Sequence, residues 1–280
     1  MLWDDDWFYV VKKKIKFMKE IISIVMPTFN VEEYVGDAIE SIINQTYTNW
    51  ELLITDDCST DNTVDIINSY VKIDSRIKLF CLDKNSGAGV ARNNSIEKAN
   101  GRYISFCDSD DWWYPYKLDV QYNFMKIKGY EFVFSASEYA NTNLEVTGVC
   151  WKRMKVSHSI LLYDSNIGTP GVVYDTKRIG KIYFPTIRKR QDWVMWLSII
   201  EKTKYLHCIN WPLWKHRIRK GSLTSAKINL VKYNLEVYNK ILGFSKIKSY
   251  SYFMFAYMPC FIYRKVKNRI ASKMYLKNYY

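Results

Sequence analysis

The chain has 280 residues, 48% hydrophobic and 16% aromatic, which is enough apolar material for a real core and excludes an intrinsically disordered chain. Its net charge of +13 is unevenly placed: residues 205–280 hold 15 Lys and Arg against one acid, Glu236, so the first 204 residues are close to neutral. Six scattered cysteines without a Cys-x-x-Cys pair speak against zinc, no apolar run reaches the length of a spanning helix, and the acidic start Asp4-Asp5-Asp6 is unlike a signal peptide.

In chain order, residues 21–26 form a β-rich apolar run ended by Pro27 and are expected to be a buried strand. Met18 stands directly before it and is read as the natural start, with 1–17 an upstream extension outside the fold. Residues 31–45 space Val31, Val35, Ala38, Ile39, Ile42 and Ile43 as one helix face. A strand over 51–55, a helix over 61–71 with Asp61 as N-cap, and a strand over 77–82 follow. A helix over 89–99 closes at Asn100-Gly101, and a strand over 103–107 runs into Asp108-Ser109-Asp110-Asp111.

This alternation predicts an α/β fold: a mostly parallel, Rossmann-like sheet with helices on both faces. Such sheets bind ligands beyond the carboxyl ends of their strands. Residues 27–30, 56–59 and 108–111 are three polar clusters at that edge, and together they define one site. Past Asp111 the pattern loosens. Helices are expected over 116–128, 157–163, 190–202 (amphipathic, Val194 and Leu197 inward) and 228–242, and strands over 131–140 and 171–174.

Asp108 and Asp110, two residues apart after a buried strand, suit a hard divalent cation such as Mg²⁺ or Mn²⁺; a turn with a helix cap uses the same residue types. A carboxylate in Asp56-Asp57 can accept the imide N–H of a uracil. Arg92 follows Ser86-Gly87-Ala88-Gly89, where small residues allow close backbone approach and a guanidinium suits phosphate. Asp192, in Gln191-Asp192-Trp193, is the candidate general base, kept ionised by a helix N-terminus, although by itself the position equally reads as a helix cap. His207 reads as structural. His216 belongs to the basic run 215–222, which suits phosphate contacts.

Taken together these motifs resemble family 2 glycosyltransferases of the GT-A fold, from Ile22 to about Thr224. The matching stretches are 23–30, 56–61, 87–93, 106–111 and Gln191-Asp192-Trp193 with Trp196-Leu197. The resemblance implies uridine contacts from Pro27, Thr28 and Asp57, diphosphate support from Arg92, ribose contact by Asp108, metal at Asp110, and Asp192 as the base of an inverting transfer. Asp108 and His216 are further candidates for the Mn²⁺ or Mg²⁺. The family often has Gly where Cys58 stands, Glu where Gln191 stands, and a metal-binding His in the region that here holds Arg219. Arg217 and Arg219 are therefore candidates to hold the donor's diphosphate.

The implied organisation is an extension over 1–17, a transferase domain over 18–224 and a basic, aromatic helical segment over 225–280. The implied reaction takes a UDP-sugar to a polyprenyl-diphosphate-linked saccharide in bacterial surface polysaccharide synthesis. The interleaved cations and aromatics of 245–280 suit anionic lipid of the inner leaflet, so a cytoplasmic, peripherally attached protein is expected. Three rivals were weighed. A nucleic-acid-binding module is permitted by charge but has no recognisable motif, so no nucleic-acid partner is expected. A catalytically inactive relative conflicts with intact Asp57, Asp108, Asp110 and Asp192. A sugar nucleotidyltransferase would need a triphosphate loop that 27–30 does not supply.

Overall fold

The computed structural model describes residues 19–219 and 230–279. Residues 1–17 and the stretch Lys220 to Ser225, on which part of the expected organisation rests, lie outside the described residues.

The first half is built as the apolar pattern requires. β1 (Ile22–Thr28), β2 (Trp50–Asp56), β3 (Ile77–Cys81) and β4 (Tyr103–Phe106) lie side by side in the order β3-β2-β1-β4, all parallel. β1, β2 and β4 are buried along their whole length, because helices cover the sheet. Those helices include α1 (Val35–Ile43), α2 (Thr63–Ile73) and α3 (Ala88–Lys98). α1 starts four residues later than the apolar spacing suggests, since residues 32–34 form a turn. Asp61 caps α2 from just outside, its Oδ1 accepting from the Thr63 amide at 3.0 Å.

The second half is mixed rather than parallel. β5 (Trp112–Trp113), α4 (Lys117–Lys128), β6 (Phe132–Ala140), β7 (Val146–Cys150), β8 (Lys155–Val156), α5 (His158–Leu161), β9 (Val173–Asp175) and α6 (Thr176–Ile179) precede α7 (Gln191–Ile200) and the long β10 (Leu206–Arg217). β9 bridges β4 and β6 antiparallel to both, and β10 runs parallel to β6. β5, β7 and β8 were not expected from the pattern, and of β10 only the stretch around His207 reads as strand-like. In β10 the reason is visible: the pairing with β6 slips on either side of Pro212, which cannot donate to the ladder, so no alternation survives in the sequence. α7 is not amphipathic. Seven of its ten residues, from Trp193 to Ile200, are buried, as in a helix enclosed on all sides.

The C-terminal residues form α8 (Leu230–Glu236), α9 (Lys246–Tyr252) and α10 (Met258–Tyr279), joined through π-turns at Val237–Ile241 and Phe253–Tyr257. Pro259 does not break this run. It comes just after the π-turn at Phe253–Tyr257, where the helical hydrogen-bond ladder is already irregular. Val237, Tyr238, Phe253 and Tyr257 belong to the same apolar cluster as Trp193 and Trp196, so this segment completes the core. All six cysteines are free, with Cys58 and Cys81 exposed rather than buried. Among the described residues no helix is long and apolar enough to cross a membrane.

Candidate active site

The carboxyl ends of β1, β2 and β4 bring the polar clusters together. Asp56, at the end of β2, accepts from the Thr28 hydroxyl at 2.9 Å and from the Ser59 hydroxyl and amide at 2.6 and 2.8 Å. Thr28 is buried and its carbonyl takes the Asp57 amide at 2.9 Å. Thr28 and the buried Pro27 thus tie the ends of β1 and β2 together, and the Thr28 hydroxyl is already used within the protein.

Asp57 holds the glycine loop. Its two carboxylate oxygens accept from the amides of Ser86 and Gly87 at 2.6 and 2.7 Å. Gly87 has φ +92, a conformation an L side chain rarely adopts, and it aims its amide at Asp57. Each oxygen retains a lone pair, so a ligand imide can still be accepted. The turn leading into α2 holds Cys58 at φ +67. Glycine would adopt that left-handed backbone without strain.

After the loop, Arg92 on α3 donates to Asp108 Oδ1 at 2.6 Å, and its guanidinium lies 5.1 Å from the Phe184 ring. The Arg92 Nε–H is buried and unpartnered among the described residues, a donor left available for a ligand acceptor. Arg219 donates to Asp110 Oδ2 at 2.7 Å. Asp111 is fully buried. It accepts from the Arg217 amide at 3.0 Å and faces His216 Nδ1 at 3.3 Å, while its Oδ2 has no partner.

One expectation changes here. Arg217 is not available to a diphosphate: its guanidinium is 2% exposed and is consumed by the Asp110 carbonyl, the Thr142 carbonyl and Asp37. It is a strut of the acidic loop. His216 turns Nδ1 to Asp111. Burial pulls its pKa down, but the bonded Asp111 carboxylate and the charges of Asp110 and Asp108 outweigh that and raise it to about 9.

Among the described residues no three His, Cys, Asp or Glu side chains converge on one point. Magnesium and manganese bound with a diphosphate need less, since one or two carboxylates suffice when phosphate and water fill the other positions. Asp108 and Asp110 fit that requirement. Each is partly exposed, and each has one oxygen engaged by an arginine and the other carrying no bond among the described residues.

Asp192 sits in the first turn of α7, whose N-cap Arg190 has φ +66. It lies on the wall of a cavity of about 670 Å³, together with Gly87, Gly89, Arg92, Phe184 and Arg188. That volume is ordinary for a small-molecule site. Burial raises the Asp192 pKa; Arg190, the Trp193 amide and Arg92 pull the other way without cancelling it. Phe184 and Pro185 close the region 137–185 that the sequence suggests for the acceptor, and residues 186–190, outside it, line the same cavity. Their signal was present as Arg188-Lys189-Arg190 directly ahead of Gln191-Asp192.

Comparison with known proteins follows the same lines. The profile described as Glycosyl transferase family 2 matches residues 23–177. A Bacillus subtilis protein named for teichuronic acid biosynthesis, the glycosyltransferase TuaG, is 37% identical over 80% of this chain and 89% of its own length. The Escherichia coli protein WfgD, named as a UDP-Glc:alpha-D-GlcNAc-diphosphoundecaprenol beta-1,3-glucosyltransferase, is 36% identical over 78% of this chain and 85% of its own. Among solved structures, S. aureus TarS 1-349 in complex with UDP-GlcNAc superposes with a TM-score of 0.63 at 22% identity, covering 78% of this chain and 67% of that one.

Proposed function

The chain belongs to glycosyl transferase family 2 and is a glycosyltransferase, and from that premise we propose that it moves a sugar, with inversion, from a UDP-sugar onto a polyprenyl-diphosphate-linked saccharide in bacterial surface polysaccharide synthesis. The relatives' names support the donor and acceptor classes. The observation that carries the mechanism is Asp192: one carboxylate of raised pKa on the wall of a cavity shared with the glycine loop and Arg92.

In this reading Asp192 accepts the proton of the acceptor hydroxyl as its oxygen attacks the anomeric carbon. The bond from that carbon to the diphosphate oxygen breaks, and UDP leaves with the electron pair. A base with a raised pKa suits the task, because its ionised form is a stronger proton acceptor than an ordinary carboxylate. Asp57 and the loop it holds meet the uridine, and Arg92 meets the ribose and diphosphate. Asp108 and Asp110 hold Mg²⁺ or Mn²⁺, which when bound neutralises charge on the leaving diphosphate. Arg219 stands beside Asp110, able to turn from it to a phosphate. The basic C-terminal segment, packed into the same core as the transferase domain, keeps the protein at the inner face of the membrane.

A thermal-shift series with UDP, GDP, CMP and their sugar conjugates, with and without Mn²⁺, tests the site, because a ligand of the folded state raises its melting temperature. A metal-dependent shift with UDP is expected. A folded protein that responds to none of these nucleotides would overturn the reading.

A further inference from the structure

α10 has two opposite faces. One is bound to the sheet: Arg264 pairs with Asp164, Asn268 Nδ2 lies 3.3 Å from the Cys150 sulfur, Ser272 accepts from the Val149 amide at 2.9 Å, and Tyr275 donates to Glu138 at 2.7 Å. The other carries Ile262, Val266, Ile270 and Met274, four residues apart and 54%, 54%, 56% and 64% exposed. At about 100° per residue, Val266 and Asn268 point away from each other, so the apolar stripe lies opposite the face that the fold uses. Phe255, 83% exposed, and Tyr263, 64% exposed, extend the stripe.

Nothing in the fold explains this surface. Large aliphatic side chains repeated along one helix face normally mark an interface. The charge around them selects the occupant. Residues 245–280 contain eight Lys and Arg and no Asp or Glu, and Lys265, Lys267, Arg269 and Lys273 flank the stripe. A helix with aliphatic and aromatic side chains bordered only by cations matches the boundary between acyl chains and anionic headgroups.

We propose that the Ile262–Val266–Ile270–Met274 face of α10 lies in the plane of an anionic bilayer and is the docking face of this enzyme. The inference deepens the proposed function, since it gives the surface that would bring the cavity to a lipid-linked acceptor. It also fixes an orientation, with the sheet above α10 and the helix axis parallel to the membrane.

Flotation of the full chain with vesicles of phosphatidylcholine containing phosphatidylglycerol, or of phosphatidylcholine alone, tests it. The native chain is expected to float with the anionic vesicles, and the triple variant Ile262→Gln, Val266→Gln, Ile270→Gln to lose at least tenfold of that binding. All three side chains are exposed, so the melting temperature and the UDP-induced shift should stay as in the native chain. That nucleotide shift reads the glycosyltransferase assignment separately from the docking face. Flotation unaltered by the triple variant, or a native chain that stays at the bottom of the gradient, would overturn the proposal. So would a homodimer in light scattering that the same variant dissociates, since the stripe would then belong to a second copy.

Discussion

Arg190 donates from Nε to the Asn234 side-chain oxygen at 2.7 Å, across 44 residues of sequence, while its other nitrogen reaches the Tyr257 hydroxyl at 2.9 Å. The residue two places before Asp192 is thus held by the C-terminal helices, in a left-handed backbone conformation that needs outside support.

Removing that grip should loosen the first turn of α7. Arg190→Ala is expected to lower kcat about tenfold or more, since small displacements of a reacting group are costly, while leaving the UDP-induced melting shift in place. Steady-state kinetics with a thermal-shift control decide it. A kcat within twofold of the native value would mean that Asp192 is positioned by its own helix alone.

Asp192→Asn keeps the shape of the side chain and removes the base. Turnover should fall by about 10²–10⁴, the usual contribution of a general base, with donor affinity little changed. Transfer at the native rate would exclude Asp192 from that role.

The raised Asp192 pKa has a signature in pH. The base works only when ionised, so kcat/KM should drop as pH falls through the raised value, at a higher pH than an ordinary carboxylate of 3.8 would give. A rate profile with its acid limb at the ordinary carboxylate position would contradict the burial seen around Asp192.

Metal dependence follows from the carboxylates of Asp108 and Asp110. Chelation should abolish transfer, and added Mn²⁺ or Mg²⁺ should restore it. Asp110→Asn should weaken that rescue and reduce the effect of Mn²⁺ on the UDP-induced shift. Full activity in excess chelator would remove the metal from the mechanism.

Cys58 is exposed and sits at φ +67, where a side chain costs about 1–2 kcal/mol. Cys58→Gly relieves this, less the roughly 0.5–1 kcal/mol that a more flexible unfolded chain takes back. A stabilisation of about 0.5–1 kcal/mol is expected, visible in urea unfolding with an unchanged slope.

Much of the sheet was readable because β1, β2 and β4 are continuous apolar runs, and each ends in a polar cluster. The strand-end aspartates were found in that way. What escaped notice was set by partners far away in the chain. Asp57 looks like a free carboxylate until the loop of Ser86 and Gly87 folds onto it. Arg217 and Arg219 look equivalent in sequence, yet one is buried against Asp37 and the other meets Asp110 at the surface. The strand that ends at Arg217 is interrupted by Pro212, so its alternation gave no warning. The wall formed by 184–190 is a loop, and loops leave no periodicity to read.

The bond from Arg217 to Asp37 joins groups 180 positions apart, and the same guanidinium holds the Asp110 carbonyl and stands 4.9 Å from the Tyr34 ring. The local turn from Asp108 to Asp111 is therefore not enough to give the acidic loop its final shape. The loop must wait until the last strand of the sheet has found its place. Loop closure over such a span is slow compared with the formation of the neighbouring helices. During refolding from denaturant, helical signal should return first, and the ability to capture a nucleotide should return only with the final kinetic phase.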